Sequence, residues 1–292
     1  MNLNQVRIAT QWLALIISNA YLGFVKTKQI YQGTLKSSCV PFLNCHTCPS
    51  ALFSCPIGTF QHFMTLHRIP YLLIGYLFAI GITVGSMACG WLCPFGFMQD
   101  LMYKIKSFKI KIPKQAVSFR YFILFFLVIM LPYITQETWF SKLCPMGTIQ
   151  AAIPWAIWNP TIPVYNEPAV APNSLGLLFA IKLLILIIFL GLFIISKRPF
   201  CRTVCPLGAI FGFFNKYSIL KLKVDLSNCQ GCDKCVQTCP SDLNVSDDPD
   251  SAACVRCFKC LKCDSVKISM PALPGKSDKN KLAKTVTKKK KA

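Results

Sequence analysis

The chain has 292 residues, 53% hydrophobic and 15% charged, with 32 Lys and Arg against 11 Asp and Glu, a net charge of +21 and 17 cysteines. An apolar fraction above the globular norm, beside a charged fraction well below it, excludes an ordinary soluble enzyme and a disordered chain and points to membrane spans. The cysteines exceed what packing needs, so disulfides, metal ligands or both are expected, and an odd count cannot be used up by disulfides alone.

In chain order, the first apolar run, Ile8 to Val25, is read as a transmembrane helix. Ser18-Asn19-Ala20 offers a cleavage pattern, but the leader has one Arg and Gln11 interrupts the run, so a span is preferred over a cleaved signal peptide. A cysteine-bearing segment follows, with Cys39, Cys45, Cys48 and Cys55, then His62, His67 and Arg68. Pro70 to Ala88 forms the second expected span, where Gly81 and Gly85 either let helices approach closely or are filler. Tyr121 to Ile134 is the third span and is short, while the run from Trp139 to Trp158, broken by Pro145 and Pro154, reads as re-entrant or interfacial. Leu175 to Ser196 is the fourth, with Lys182 expected to snorkel to the surface.

Basic residues alternate across these spans. Arg7, the six between Lys104 and Arg120, and the nineteen from Lys197 onward fall on one side; Lys26, Lys28, Lys36, Arg68 and Lys142 fall on the other. The positive-inside rule then puts both termini in the cytoplasm of a multi-pass protein of the inner membrane. The eight lysines from Lys276 to Lys291 are expected to stay solvated, held to anionic lipid at most. The charge is a topology signal and not a mark of nucleic-acid binding.

An internal repeat organises the cysteines. Cys89-Gly-Trp-Leu-Cys93-Pro-Phe-Gly96 recurs 112 residues later as Cys201-Arg-Thr-Val-Cys205-Pro-Leu-Gly208, and Lys104, Lys109 and Lys111 match Lys216, Lys221 and Lys223 at the same offset. Parallel repeats of this kind are usually related by an axis along the membrane normal. On the opposite face Cys55-Pro-Ile-Gly-Thr-Phe-Gln61 echoes Cys144-Pro-Met-Gly-Thr-Ile-Gln150. Proline after each cysteine suits the first position of a helix. The four cysteines are thus expected at helix N-termini, where free N–H groups favour a thiolate or an anionic cluster.

Beyond Lys221 the sequence turns polar. Cys229-x2-Cys232-x2-Cys235-x3-Cys239-Pro240 is the bacterial ferredoxin run, and Cys254, Cys257, Cys260 and Cys263 follow at x2-x2-x2 spacing. In the two-cluster pattern Cys229, Cys232, Cys235 and Cys263 hold one 4Fe-4S cluster, and Cys239, Cys254, Cys257 and Cys260 the other. The second run departs from the usual spacing, since its last gap is one residue short and no proline follows Cys263. Zinc ribbons also use Cys-x2-Cys pairs, but separate them by a long loop that is missing here. Segments at Leu220 to Val224 and Val266 to Ser269 alternate as paired strands would.

Two Cys-x3-Cys-Pro motifs beside membrane spans, followed by a double-cluster ferredoxin module, resemble the NapH/MauN family of polytopic iron–sulfur membrane proteins and the related membrane part of the nitrous-oxide reductase regulator NosR. The resemblance runs from about Pro70 to Met270. It implies electron passage between the quinol pool or a cytoplasmic donor and an extracytoplasmic redox partner, with Cys89, Cys93, Cys201 and Cys205 as the inner-face set.

The expected fold is therefore an α-helical polytopic membrane protein of four transmembrane helices in two parallel repeats, with a C-terminal α+β double-cluster ferredoxin module. Its domains are a membrane domain over 1–220, the ferredoxin-like domain over 221–270 and a Lys-rich tail over 271–292. Two clusters belong to the ferredoxin module. One more is expected on the inner-face cysteines, and Cys45, Cys48, Cys55 and Cys144 hold either a further cluster or disulfides, with His46 activating the Cys45–Cys48 pair. His62, His67 and Arg68 are candidates for a quinol site or are interfacial anchors, which leaves a quinol dehydrogenase role open. The function read from these residues is electron transfer. The alternatives are a thiol–disulfide reductant carrier and a maturation or regulatory factor for a secreted metalloenzyme.

Overall fold

The computed structural model describes residues 3–27, 29–158, 176–225, 229, 232, 234–263 and 265–269. The Lys-rich segment and the first residue of the fourth expected span lie outside them.

Apolar runs fold as helices because an unpaired backbone amide in an apolar setting costs several kcal/mol, roughly, and a helix pairs its own. Two helices are long and apolar enough to cross a membrane: Gln115–Thr135, 21 residues at mean hydropathy 2.0, and Leu177–Ile195, 19 residues at 3.1. Only 17% and 11% of their apolar windows are buried, the reverse of a soluble core helix. Leu177, Leu184, Ile187 and Ile188 lie on the exposed surface of the second, as an apolar solvent would require. The two other expected spans form shorter helices, Leu3–Ser18 (16 residues) and Tyr71–Val84 (14 residues).

The main helices in chain order are α1 (Leu3–Ser18), α2 (Pro56–Thr65), α3 (Tyr71–Val84), α4 (Met87–Trp91), α5 (Pro94–Met102), α6 (Gln115–Thr135), α7 (Trp139–Leu143), α8 (residues 145–158), α9 (Leu177–Ile195), α10 (Pro199–Thr203), α11 (Pro206–Phe214) and α12 (Lys234–Thr238). Strands β1 (Lys221–Val224) and β2 (Val266–Ser269) pair antiparallel, with Leu222 opposite Ile268. The expected strand pairing is therefore present.

The third span is not short after all. Its helix starts six residues before Tyr121 and passes through a π-helical stretch, Leu124–Met130. In a π turn the carbonyl of Leu127 looks five residues on, to Pro132, which has no N–H to give. Gln61 of α2 donates its Nε2 to Leu127 O instead, at 3.2 Å, and is itself fully buried. Gln11, the polar interruption in α1, works the same way and donates to Gly90 O at 3.1 Å. Gly81 and Gly85 are not filler. A Cβ at Gly81 would meet the Phe214 ring at 2.4 Å, and Gly85, at φ +59, ends α3 against Asn215.

The helices connect two poles, called inner and outer after the charge distribution. At the inner pole, Arg7 near the start of α1 reaches Asp100 of α5, and Ser196 at the end of α9 donates to Ile110 O. At the outer pole, Ser18 O accepts from Leu52 N, and Lys182 in α9 lines a cavity with Cys45, Cys55 and Cys144. Between the poles Phe95, Phe193, Phe200 and Phe211 share a buried core, in which Phe95 packs edge to face on Phe193 and on Phe200, the last with centroids 5.1 Å apart.

Asp100 ties the inner pole together. Arg198, fully buried and held at φ +47, donates Nε and Nη2 to its two oxygens at 2.7 Å each, and Arg7 Nη2 adds a third bond at 3.0 Å. Burial opposes ionisation of Asp100, but the Arg198 and Arg7 guanidinium groups outweigh it and hold the carboxyl below its ordinary range. Its contribution is thus complete above the ordinary carboxylate pKa and fades as pH falls through the lowered value. Removing the charge should strand two buried cations: Asp100→Asn is expected to cost about 3–5 kcal/mol, read as thermal unfolding in detergent, with Asp100→Glu losing less.

Candidate metal centres

Each of the four Cys-Pro-x-Gly units starts a helix, with the cysteine as N-cap and proline at the first helical position. The cap dihedrals nearly coincide: φ/ψ of −76/129 at Cys55, −70/112 at Cys93, −66/122 at Cys144 and −65/114 at Cys205. In every unit the backbone N–H of the motif glycine faces the cysteine sulfur, most closely from Gly208 to Cys205 Sγ at 3.4 Å. Burial nevertheless dominates and pushes the thiols up, Cys55 to about 11 and Cys144 to about 12. Helix ends alone do not hold these sulfurs as free thiolates; a bound metal that shares the charge would.

The structure groups the cysteines into sets. At the inner pole Cys89, Cys93, Cys201 and Cys205 lie within electrostatic reach of one another. Gln99, fully buried on α5, donates Nε2 to Cys201 Sγ at 3.0 Å and so links the two halves of the repeat. Next to this set Cys239 leaves its own run and joins Cys254, Cys257 and Cys260, while Cys235 lies near Cys263 and Cys229. Cys232 is exposed.

The second ferredoxin run is seated directly on the inner set. Ser86 Oγ donates to Cys254 O, Asn215 Nδ2 to Cys254 O at 2.8 Å, and Trp91 Nε1 to Arg256 O at 3.2 Å. Gly90, inside the first Cys-x3-Cys, permits this contact, because a Cβ there would meet Val255 O at 2.2 Å. Arg198 interacts with Cys89, Cys93 and Cys201 on one side and with Cys257 on the other.

Sequence reasoning missed the arginines. Arg7, Arg120, Arg198, Arg202 and Arg256 are all at least 97% buried. Among the described residues, Arg7 and Arg198 share Asp100, and Arg256 pairs with Asp250 at 3.2 Å. Arg7 Nε and Nη1, Arg120 Nε, Arg202 Nε and Nη1, and Arg256 Nε are buried without a hydrogen-bond partner. Buried cations need anions. The residues therefore fit anionic, thiolate-held groups at the inner pole. A signal was present in the sequence, since Arg198 and Arg202 flank Cys201 and Arg7 and Arg120 hold equivalent places in the first and third runs.

At the outer pole Cys45, Cys48, Cys55 and Cys144 form a set, with Cys45 in reach of the other three. Cys39 stands apart and donates to Thr59 Oγ1 at 3.4 Å. A cavity of about 170 Å³ opens at this set, lined by Cys45, His46, Cys55, Ser141, Cys144 and Lys182 among others. Lys182 thus turns toward the cysteines, whereas snorkelling was expected. Burial pushes His46 down to about 4, with Lys36 adding to the shift. His62, His67 and Arg68 are exposed and lie outside the cavity; His67 packs on Tyr133 at 4.4 Å.

The segment between the poles is equally informative. Leu43, 2% exposed, points its N–H at Cys93, Asn44 points its N–H at Cys55, and Cys45 N donates to Gln150 Oε1 at 2.7 Å. Two adjacent residues therefore lie near a cysteine of each membrane set.

Among the described residues no three Cys, His, Asp or Glu groups converge as ligands of one metal ion.

The family described as 4Fe-4S binding domain matches residues 53–70, 66–113 and 178–227. The ferredoxin-type protein NapH of Haemophilus influenzae is 25% identical over 236 residues, covering 78% of this chain and 70% of NapH. The methylamine utilization ferredoxin-type protein MauN of Methylobacillus flagellatus is 23% identical over 170 residues, 58% of this chain and 52% of MauN. The regulatory protein NosR of Stutzerimonas stutzeri is 28% identical over 155 residues, 49% of this chain but 19% of NosR. No solved structure matches the chain.

If Gly90 is what lets the ferredoxin loop dock, Gly90→Val should lift it. Amide exchange over residues 250–258 is expected to rise at least about tenfold, equivalent to roughly 1.4 kcal/mol of lost protection, while exchange in α9 stays unchanged.

Proposed function

From the premise that this chain is a ferredoxin-type protein of the NapH/MauN family, we propose that it relays electrons across the inner membrane, between the quinol pool or a cytoplasmic donor and an extracytoplasmic redox partner. It is a membrane protein built for 4Fe-4S binding. In this reading α1, α3, α6 and α9 all span, the two halves are parallel repeats, and both termini are cytoplasmic. The short α1 and α3 are accommodated by local thinning of the bilayer, at fractions of a kcal/mol per Å, roughly. Residues 221–270 act as the cytoplasmic module.

The observation that carries the proposal is the seating of Cys254–Cys260 on Cys89 and Cys201, fixed by Gly90, Ser86, Asn215 and Arg198. We assign Cys229, Cys232, Cys235 and Cys263 to one cluster, Cys239, Cys254, Cys257 and Cys260 to a second, and Cys89, Cys93, Cys201 and Cys205 to a third. Bound clusters supply one-electron transfer at potentials set by charge, hydrogen bonds and burial. The chain supplies the rest. Arg198 provides a positive charge between the second and third sets, Gln99 donates to Cys201, and the aromatic core excludes water. For quinol contact His62, His67 and Arg68 remain the candidates, at the outer end of α6 beside Tyr133.

Full-length protein reconstituted into liposomes, with an impermeant electron acceptor trapped inside and a reductant outside, tests the relay. Acceptor reduction is expected for the native chain. Cys89→Ser with Cys201→Ser should reduce the rate at least about tenfold, while the ferredoxin signals persist in EPR spectra. An acceptor that stays oxidised with the native protein, or a rate unaffected by the double variant, would overturn the reading.

A further inference from the structure

The outer pole holds a complete set of groups to which the relay as described assigns no ligand. Cys45 and Cys48 come from an irregular segment, Cys55 from the start of α2 and Cys144 from the start of α8, yet the fold gathers all four. The motif glycines make room for this. A Cβ at Gly58 would meet His46 Nδ1 at 2.8 Å, and one at Gly147 would lie 3.6 Å from Cys45 Sγ. Gln150 holds the Cys45 amide at 2.7 Å and Asn44 Oδ1 at 3.2 Å, which fixes the segment against α8.

The cavity beside these sulfurs, about 170 Å³, is several times the ~30 Å³ share of one water and larger than a single ion needs. Two lysines face it or its ligands: Lys182 interacts with Cys45, and Lys36 with Cys48 and Cys45. Among the described residues neither lysine has an ion-pair partner, and Glu137, the acid at this pole, is taken by Lys142 at 2.9 Å. An ionisable residue inside an apolar helix that lines a cavity with Cys45, Cys55 and Cys144 marks a binding site for negative charge.

We propose that Cys45, Cys48, Cys55 and Cys144 ligate a fourth 4Fe-4S cluster at the outer pole, with Lys182 as its counter-charge. Leu43 lies near Cys93 and Asn44 near Cys55, so two adjacent residues join it to the inner set. This last part rests on the relay reading; the existence of the site does not. Cys39 is excluded from the ligand set and serves as the control.

Iron, sulfide and zinc are counted on the full chain purified anaerobically. The native protein should carry about sixteen iron, four clusters' worth. Cys45→Ser with Cys144→Ser should carry about twelve with ferredoxin EPR signals intact, and Cys39→Ser about sixteen. Equal iron in the native protein and in Cys45→Ser with Cys144→Ser overturns the proposal, as does loss of one zinc in place of four iron, or alkylation of Cys45 and Cys48 only after reduction. Lys182→Met keeps every ligand, so iron should be unchanged while one cluster's midpoint potential falls and the others stay fixed. An unmoved titration would overturn the counter-charge role. Because metal content is measured without electron flow, a failed relay with sixteen iron and a working relay with twelve are distinguishable.

Discussion

A surplus of buried positive charge is the constraint on which the rest of the molecule depends. Five arginines converge on the inner pole, where Asp100 and Asp250 meet only part of their demand. An isolated guanidinium in a low-dielectric interior is costly. The arrangement is stable only with further negative charge among the arginines, and the cysteines of the inner and second ferredoxin sets are placed to hold it.

Around that centre, glutamines solve a second problem, that of stray backbone groups. Gln61 serves the Leu127 carbonyl that Pro132 leaves without a donor, Gln11 serves Gly90, and Gln150 accepts from Cys45. Each also ties one part of the chain to a distant one. Three of them, Gln61, Gln99 and Gln150, follow their Cys-Pro cysteine by six residues, which puts the side chain nearly two turns into the helix and back toward the neighbouring set. The recurring motif is therefore a cap, a space and a strut.

The close seating of the ferredoxin loop has a mechanical consequence. Hydrogen bonds from Ser86, Trp91 and Asn215 fasten that loop to α4 and α11, so the second ferredoxin set is part of the inner pole and not a tethered module. At the other end of the module Cys229 and Cys232 are exposed.

Local features were legible in the sequence because they depend on short-range chemistry. Cys-Pro starts a helix wherever it occurs, x2 spacing draws thiols together, and apolar runs become helices; four caps, the ferredoxin runs, the β1–β2 pair and the long helices α6 and α9 follow from such rules. Span lengths were less legible, since Gly85 cut α3 short and α6 began six residues before its apolar run. The arginine surplus, the turn of Lys182 toward Cys45, the burial of His46 and the placement of Leu43-Asn44 were decided only by the tertiary structure. Each depends on what distant segments bury together, and burial and electrostatic pairing are properties of the assembled fold that no local pattern encodes.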